Sequence, residues 1–267
     1  MSLSDHAQKL TSTLEQAKLV PGSAAALIPE GFKPMIKLEV SFVDKAVDVG
    51  NFFRAGECKL APSISFAAEE GAESGASYTL FLTDQDAPTP DNPQFAFWRH
   101  WVLPGLQPLS GGAVVAQTKP ALTDFLGPGP KDDSKPHRYL FLLYREPQGL
   151  DLKKEDVGGE EFVQRRSWKP AEFADKHGLK LVGVNWMTCA GDGWTEESNT
   201  KASCASEGPS RDCTVLQATW TEASSPQLLE WRFSNRAGRS RHGSELPWTA
   251  RFSGIVIKNH REAGPIV

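Results

Sequence analysis

Three short segments carry side chains whose types and spacing could form a ligand site. The first, Thr83–Pro88 (TDQDAP), follows an apolar run. Because successive side chains of a strand alternate between faces, Asp84 and Asp86 are expected on one face. Two carboxylates this close repel each other, so a shared proton, a cation or hydrogen-bond donors must neutralise them. The competing interpretation is turn chemistry, since Asp before Ala-Pro commonly begins a turn.

The second and third segments add aromatic and imidazole groups. Trp98 and His100 alternate onto one face of a predicted strand. The loop Gly127–Pro130 (GPGP) is stiff, and its glycines let a ligand approach the backbone. It leads into a strand on which His137 and Tyr139 share a face. Together the segments place two His, two Asp, a Tyr and a Trp at strand ends beside proline-rich loops, where ligands commonly bind.

A β-rich frame is predicted to position these groups. Alternating or continuous apolar patterns predict strands at Ile36–Phe42, Ser63–Phe66, Tyr78–Thr83, Trp98–Leu103, Arg138–Tyr144 and Leu179–Trp186. The strand at Arg138–Tyr144 is apolar on both faces, so it should be central and covered on both sides. Pro170–His177 is predicted to be a short helix. The pattern is typical of stacked sheets with peripheral helices.

The two ends of the chain differ from this frame. Apolar side chains at 3, 7, 10, 14 and 17 form one stripe of a helix, which Ser2 or Ser4 caps and Pro21-Gly22 ends. This stripe packs on the protein's own sheet or on a partner, and packing on its own sheet is favoured. Residues 1–197 hold 14 Lys and 6 Arg, whereas residues 198–267 hold 2 Lys and 7 Arg and little hydrophobic periodicity. We therefore expect an N-terminal helix (1–22), a β-rich domain (23–197) and a disordered tail or gene-model read-through (198–267).

Composition narrows the function classes. A net charge of −4 lacks the basic stripe that nucleic-acid binding requires, so no nucleic-acid partner is expected. The N-terminus has no basic segment followed by an apolar one, so a cytoplasmic location is expected. The cysteines at 58, 189, 204 and 213 lack metal-site spacing and are interpreted as free thiols, with a Cys204–Cys213 disulfide as the alternative.

The motifs resemble the phosphatidylethanolamine-binding protein family. The sequences DxDAP (84–88) and WxHW (98–101), then GPxP (127–130) and HRYxFLLY (137–144), are similar to the two signature blocks of that family, in the same order. The resemblance covers about residues 3–197. The leading helix, residues 144–149 and the strand at 181–186 are most similar to the fungal carboxypeptidase Y inhibitor branch.

This resemblance implies a mainly β, sandwich-like fold with a few peripheral helices and a shallow pocket for phosphate-type anions, including phospholipid headgroups. It implies no catalytic residue, cofactor or metal. Matching motif positions give the ligand-binding residues Asp84, Asp86, Pro88, Trp98, His100, Gly127, Pro128, His137 and Tyr139. Both His residues could donate to phosphate oxygens, and a carboxylate beside an imidazole would strengthen anion binding as the pH falls. Alternatively, a carboxylate could meet the ammonium of an ethanolamine headgroup.

Three departures from the family pattern concern the rim of the pocket. Gln85 stands where the family commonly has Pro, and Lys131 replaces the last Pro of the second block. Asp132, Asp133 and Lys135 lie where the family tends to have glycine. We therefore expect the rim to differ in shape and charge, which affects ligand preference more than ligand binding.

Three function hypotheses follow. The leading one is a regulatory protein that inhibits a serine carboxypeptidase or modulates a signalling partner such as a kinase, with peripheral membrane contact. The family branch implies that the helix at Ser2–Leu19 joins the enzyme contact, so deleting residues 1–20 should weaken inhibition in a domain that still folds. The second is a hydrolase that uses the His/Asp pocket, although the chain lacks a GxSxG elbow, an HExxH helix and a P-loop. The third is a structural module attached through the tail.

Overall fold

A computed structural model describes residues 2–73, 75–109 and 112–196. Its helices are α1 (Leu3–Gln16), α2 (Lys154–Val157), α3 (Phe162–Arg165) and α4 (Pro170–Lys176), and a 3₁₀ turn spans Ala55–Cys58. Its strands are β1 (Glu39–Phe42), β2 (Lys45–Ala46), β3 (Phe52–Arg54), β4 (Ser63–Ser65), β5 (Tyr78–Asp84), β6 (Trp98–Pro108), β7 (Val115–Gln117), β8 (His137–Arg145) and β9 (Lys180–Ala190). The predicted tail, 198–267, with Cys204 and Cys213, lies outside the described residues. Within them, no helix is long and apolar enough to cross a bilayer.

Two sheets form the frame, which confirms the predicted mainly β fold. The larger sheet has the order β3-β9-β8-β5-β6-β7, with β3 parallel to β9 and its other neighbouring strands antiparallel. The smaller sheet has the order β2-β1-β4 and covers one face of the larger sheet. The helices α1 and α4 cover the other face.

The predicted central strand is β8, which lies between β5 and β9. Its residues Tyr139, Phe141 and Leu143 belong to the core under the smaller sheet. Leu140 and Leu142, which point the other way, belong to the core under the helices. The strand is apolar on both faces because each face is covered, as expected for a buried central strand.

The N-terminal helix is shorter than predicted. Ser2 and Asp5 form a reciprocal capping box at its start, and Leu10 and Leu14 are buried against the sheet. The helix ends at Gln16 rather than at Pro21-Gly22, because Lys18 adopts a left-handed conformation (φ +54°) that turns the chain. The predicted stop signal therefore lies beyond the true end, and the predicted helix bounds of 1–22 were wrong.

The first predicted strand is also shorter than the pattern suggested. Only Glu39–Phe42 forms β1. The preceding residues Met35 and Ile36 instead donate their N–H groups to the carbonyl oxygen of Val182 in β9. The alternating run thus passes from the larger sheet to the smaller one. Its apolar side chains are buried in both places, so the alternating pattern continues although only its second half forms β1.

Candidate functional site

The candidate site is a cavity of about 350 Å³ where β5 ends and β6 and β8 begin. Antiparallel pairing brings these three strand ends to one edge of the larger sheet. The cavity is lined by Asp84, Ala87, Pro88, Phe95, Trp98, His100, Leu126, Gly127, Gly129, Pro130, Lys131, His137, Tyr139 and Phe162. Seven of the nine residues predicted from the sequence therefore come together, and Asp86 and Pro128 do not line the cavity.

A buried line of hydrogen bonds orients His137. Its Nδ1 lies 2.8 Å from Oδ2 of Asp84, and its Nε2 lies 3.0 Å from Oγ of Ser134. The Ser134 hydroxyl also donates to the carbonyl oxygen of Lys135, at 3.1 Å. These two contacts engage both ring nitrogens of His137 and fix the orientation of the imidazole. The result is a buried His137–Asp84 pair at the base of the cavity.

The Asp84 carboxylate has donors on both oxygens. Oδ2 accepts from His137, and Oδ1 accepts from the backbone N–H of Asp86 at 2.7 Å. Burial, followed by the charge of Asp84, raises the pKa of Tyr139 well above its ordinary value, so Tyr139 remains a neutral phenol that also hydrogen-bonds Asp84. Only 5% of the Asp84 side chain is exposed, which matters for the ligands that this carboxylate could contact.

His100 has a different environment from His137. Its Nδ1 lies 2.6 Å from the carbonyl oxygen of Leu126, so Nδ1 carries a proton. Burial lowers the pKa of His100, opposed by Asp84 and by the Leu126 carbonyl. The neutral ring therefore has an unprotonated Nε2, which accepts hydrogen bonds. The expectation that His100 donates to a phosphate holds only for its protonated form.

Asp86 lies outside the cavity, which corrects the prediction that it shares a face with Asp84. The strand ends at Asp84, so alternation does not extend to Asp86. Asp86 is fully buried, and its oxygens lie 2.6 Å from Nη2 and 2.8 Å from Nε of Arg138. Oδ2 also accepts from the Arg138 backbone N–H at 2.8 Å. This carboxylate is neutralised by a bidentate ion pair, one of the alternatives raised by the sequence.

The loop before β8 packs closely on the rest of the protein. A Cβ at Gly127 would lie 2.6 Å from the carbonyl oxygen of Cys58 in the 3₁₀ turn, so this position requires glycine. The absence of a side chain at Gly127 therefore lets the loop pack against the 3₁₀ turn. Gly127 also lines the cavity. Pro128 is buried behind the loop, whereas Gly129 has no atom within 4 Å of an added Cβ.

A buried arginine fixes the outer wall. Arg165 in α3 donates from Nη1 to the carbonyl oxygens of His100 and Asp124, each at 3.2 Å. These contacts hold α3 against β6 and bring Phe162 over the cavity, where its ring meets Trp98 at 4.6 Å between centroids. Phe162 was not predicted from the sequence, where its signal is an aromatic residue within a highly polar segment. It is 60% exposed in the structure.

The charged groups of the rim are mostly paired. Lys135 lies 2.7 Å from Asp91, and Oδ1 of Asp132 accepts from the backbone N–H of Gly193 at 2.9 Å. Lys131 lines the cavity, and no ion pair of Lys131 occurs among the described residues. That same part of the chain has no group of three or more His, Cys, Asp or Glu residues that could hold a metal ion.

A larger cavity of about 640 Å³ lies at the opposite edge of the larger sheet. Arg145 and Glu146, which line it, are engaged with the protein: Arg145 lies 3.0 Å from Glu69, and Oε1 of Glu146 accepts from the Gly105 N–H at 2.8 Å and from Thr79 at 2.7 Å. These contacts stabilise the fold.

The sequence matches a family model and a known relative. Residues 43–186, more than half of the chain, match the family model described as phosphatidylethanolamine-binding protein. A putative odorant-binding protein A5 of Drosophila melanogaster is 23% identical over 158 residues, which span 57% of this chain and 66% of that relative, just under two thirds.

Two solved structures share the fold. A carboxypeptidase Y inhibitor in complex with its cognate proteinase aligns with a TM-score of 0.60 at 22% identity, covering 70% of this chain and 97% of that chain. A phosphatidylethanolamine-binding protein from Plasmodium vivax aligns with a TM-score of 0.53 at 22% identity, covering 68% and 97%.

Proposed function

The chain belongs to the phosphatidylethanolamine-binding protein family, and we propose that it is a binding and regulatory protein whose ligand is a phosphate-type anion. The observation that carries this proposal is the buried His137–Asp84 pair at the base of the cavity. The pair supplies an oriented imidazole, and Lys131 adds a cation at the mouth. The positive charge of Lys131 favours an anion over a neutral ligand.

A phosphate titration tests the proposal. Isothermal titration of the full chain with inorganic phosphate at pH 6.5 should give measurable binding. His137→Ala should weaken it by about tenfold or more, because the buried Asp84 carboxylate then loses its His137 partner and repels the anion. His177→Ala, which changes a histidine outside the cavity, is the matched control. Equal phosphate affinity of the wild type and His137→Ala would overturn the proposal.

The same geometry argues for a binding role rather than hydrolysis. Ser134, His137 and Asp84 are connected in the order of a serine hydrolase triad. However, Ser134 is only 3% exposed, does not line the cavity, and donates its hydroxyl to the Lys135 carbonyl. A nucleophile must reach its substrate. Turnover of carboxyl or phosphate esters by the wild type that is lost in Ser134→Ala would contradict this assignment.

We also propose that the regulated partner is a serine carboxypeptidase. The support is the likeness of the fold to the carboxypeptidase Y inhibitor, over 97% of that chain. The exposed face of α1, which includes Leu3 (40% exposed), Ser4, Gln8 and Thr11, is the part of the predicted contact helix available to a partner. An amphipathic helix with one buried face can present its other face to a second protein.

Deleting residues 1–20 would not test this contact cleanly, because Leu10, Leu14 and Leu19 belong to the core. A point substitution on the exposed face is sharper. Leu3→Asp should weaken inhibition of purified carboxypeptidase Y by about tenfold, as expected when a charge replaces an apolar residue that the partner covers. Val43→Asp, at a 79% exposed apolar residue after β1, is the matched control. Equal inhibition constants for both variants would refute the role of α1.

A further inference from the structure

The strand β7 is the last strand of the larger sheet, so one of its edges has no neighbouring strand among the described residues. We propose that this edge docks a second copy of the chain. In the resulting dimer, the two β7 strands pair antiparallel about a two-fold axis at Ala116, and the two larger sheets become one. The backbone groups, the charges and the side chains of the edge each support this arrangement.

The register of β7 with β6 shows which backbone groups point outward. Leu109 in the loop after β6 donates its N–H to the carbonyl oxygen of Val114 at 2.8 Å, so Val114 pairs inward. Hydrogen-bonded positions alternate along an antiparallel strand, so Val115 and Gln117 point their N–H and carbonyl groups away from β6. No hydrogen bond of these groups occurs among the residues that the structure describes.

One register of two β7 strands satisfies all of these outward groups. With the axis at Ala116, Val115 of one copy lies opposite Gln117 of the other. Each such pair exchanges two hydrogen bonds, and the axis generates the pair twice, so four bonds form. Moving the axis to Val115 would instead direct Gln117 to Ala113, whose carbonyl oxygen already accepts from the Phe66 N–H at 3.0 Å.

The edge lacks the charges that commonly prevent such pairing. Natural edge strands carry Lys, Pro or inward-pointing charges, which block edge-to-edge contact between copies. The sequence from Trp101 to Thr118, which includes most of β6 and all of β7, contains no charged residue, and β7 contains no proline. A second copy therefore brings no like charge against this edge, although the whole chain has a net charge of −4.

The side chains beside the edge also fit a partner strand. Val114 is 64% exposed and Leu109, which pairs with it across the hairpin, is 51% exposed. With the axis at Ala116, Val114 lies opposite Thr118 of the second copy, so apolar surface is buried. Ala116 lies opposite its own symmetry mate, where a small side chain lets the two strands approach closely.

The contact is small, so the dimer should be weak. A ladder of this length with its flanking side chains belongs to the low end of specific interfaces, below about 1,200 Å². Sedimentation velocity of the full chain from about 5 µM to about 500 µM should therefore show a sedimentation coefficient that increases with concentration. A constant, monomeric coefficient over the whole range would overturn the proposal.

Amide hydrogen exchange measured by NMR locates the contact. In the monomer the N–H groups of Val115 and Gln117 face away from β6, whereas that of Ala116 pairs with β6. Exchange at Val115 and Gln117 should slow by about threefold or more across the same concentration range, while Ala116 stays protected throughout. A dimer in which Val115 and Gln117 exchange equally fast at low and high concentration uses another surface and overturns the proposal.

Two substitutions at Ala116 test the position of the axis. Ala116→Lys and Ala116→Glu each place like charges opposite each other, so each variant alone should dimerise at least about tenfold more weakly than the wild type. An equimolar mixture places opposite charges at the axis and should restore association to within about threefold of the wild type. A mixture of two folded variants that associates no better than either alone overturns the pairing at Ala116.

Val114→Asp keeps the test valid if the Ala116 variants do not fold, because the Val114 side chain is largely exposed. This variant should weaken dimerisation by about tenfold, since a charge then enters the strand contact. Val43→Asp, at a 79% exposed residue between β1 and β2 in the smaller sheet, is the matched control and should dimerise like the wild type. Equal dimerisation of Val114→Asp and Val43→Asp would refute the role of β7.

Discussion

Replacing Asp86 by Asn should destabilise the protein while leaving phosphate affinity nearly unchanged. The Asp86 carboxylate is fully buried and accepts from Nε, Nη2 and the backbone N–H of Arg138, at 2.6–2.8 Å. An amide keeps the shape but removes the charge, and its NH₂ group would face one of these donors. The side chain of Arg138, 22% exposed, would then be partly buried without a counter-ion.

The size of the effect follows from this geometry. Breaking a buried ion pair on one side costs about 3–5 kcal/mol. In a folded unit of this size, each kcal/mol shifts the melting temperature by about 2–4 °C, so the decrease should be roughly 6–20 °C. Asp91→Asn is the control, because its pair with Lys135 is exposed (side chains 70% and 40% exposed) and contributes about 0–1 kcal/mol.

Two assays together test the reasoning. Thermal and urea unfolding followed by circular dichroism measure stability, and phosphate titration well below the lower melting temperature measures binding. A loss of stability under 1 kcal/mol would refute the role of the Asp86–Arg138 pair. A tenfold loss of phosphate affinity in a folded Asp86→Asn protein would instead support the ligand-binding role that the motif implied for Asp86.

Two further predictions concern the loop and the N-terminal helix. Gly127→Ala should cost about 1–3 kcal/mol in urea unfolding and weaken phosphate binding, because its Cβ would meet the Cys58 carbonyl at 2.6 Å. Gly129→Ala, where an added Cβ meets nothing within 4 Å, should leave the free energy of unfolding unchanged, and equal losses of stability would contradict this. Burial, then Lys37, lowers the pKa of His6, which is buried near Lys9 and Asp48 with no partner for Nε2 among the described residues. A lowered pKa means that the folded state favours the neutral form of His6. The contribution of His6 to the free energy of unfolding is therefore present above about pH 6.5 and is lost as the pH falls below that value. Urea unfolding at pH 7.5 and 5.0 should show a smaller loss in His6→Gln than in the wild type, and parallel losses would contradict the role of His6.

The sequence predicts much of the frame because its strands are long and their patterns are clear. The double-faced apolar run of β8 predicts a central strand, and the structure places it between β5 and β9. The end of α1 was not predictable from Pro21-Gly22, because the left-handed turn at Lys18 carries no sequence signal that outweighs its helix propensity. Where an apolar run serves two sheets, as at residues 35–42, periodicity alone does not show the crossover.

The sequence predicts those site residues that lie within strands. It does not predict the positions of residues that depend on tertiary contacts. Asp84, His137 and Tyr139 follow strand alternation into the cavity. Asp86 does not, since alternation ends with the strand, and only the partner Arg138 shows where its carboxylate lies. Phe162 reaches the cavity through the contacts of Arg165 with distant carbonyl groups, which no local pattern encodes.

The alternation along β8 has an evolutionary consequence. His137 and Tyr139 belong to the cavity, while Arg138 between them reaches Asp86 and donates to the Ala17 carbonyl at the end of α1. An insertion or deletion of one residue at this point would move His137 and Tyr139 to the face that Arg138 now occupies, and Arg138 to the cavity. The ligand site and the contact that anchors α1 would both be lost. Lys131 lies on a loop and carries no such double constraint. Ligand preference can therefore diverge between relatives through the loop while the strand beneath it stays the same.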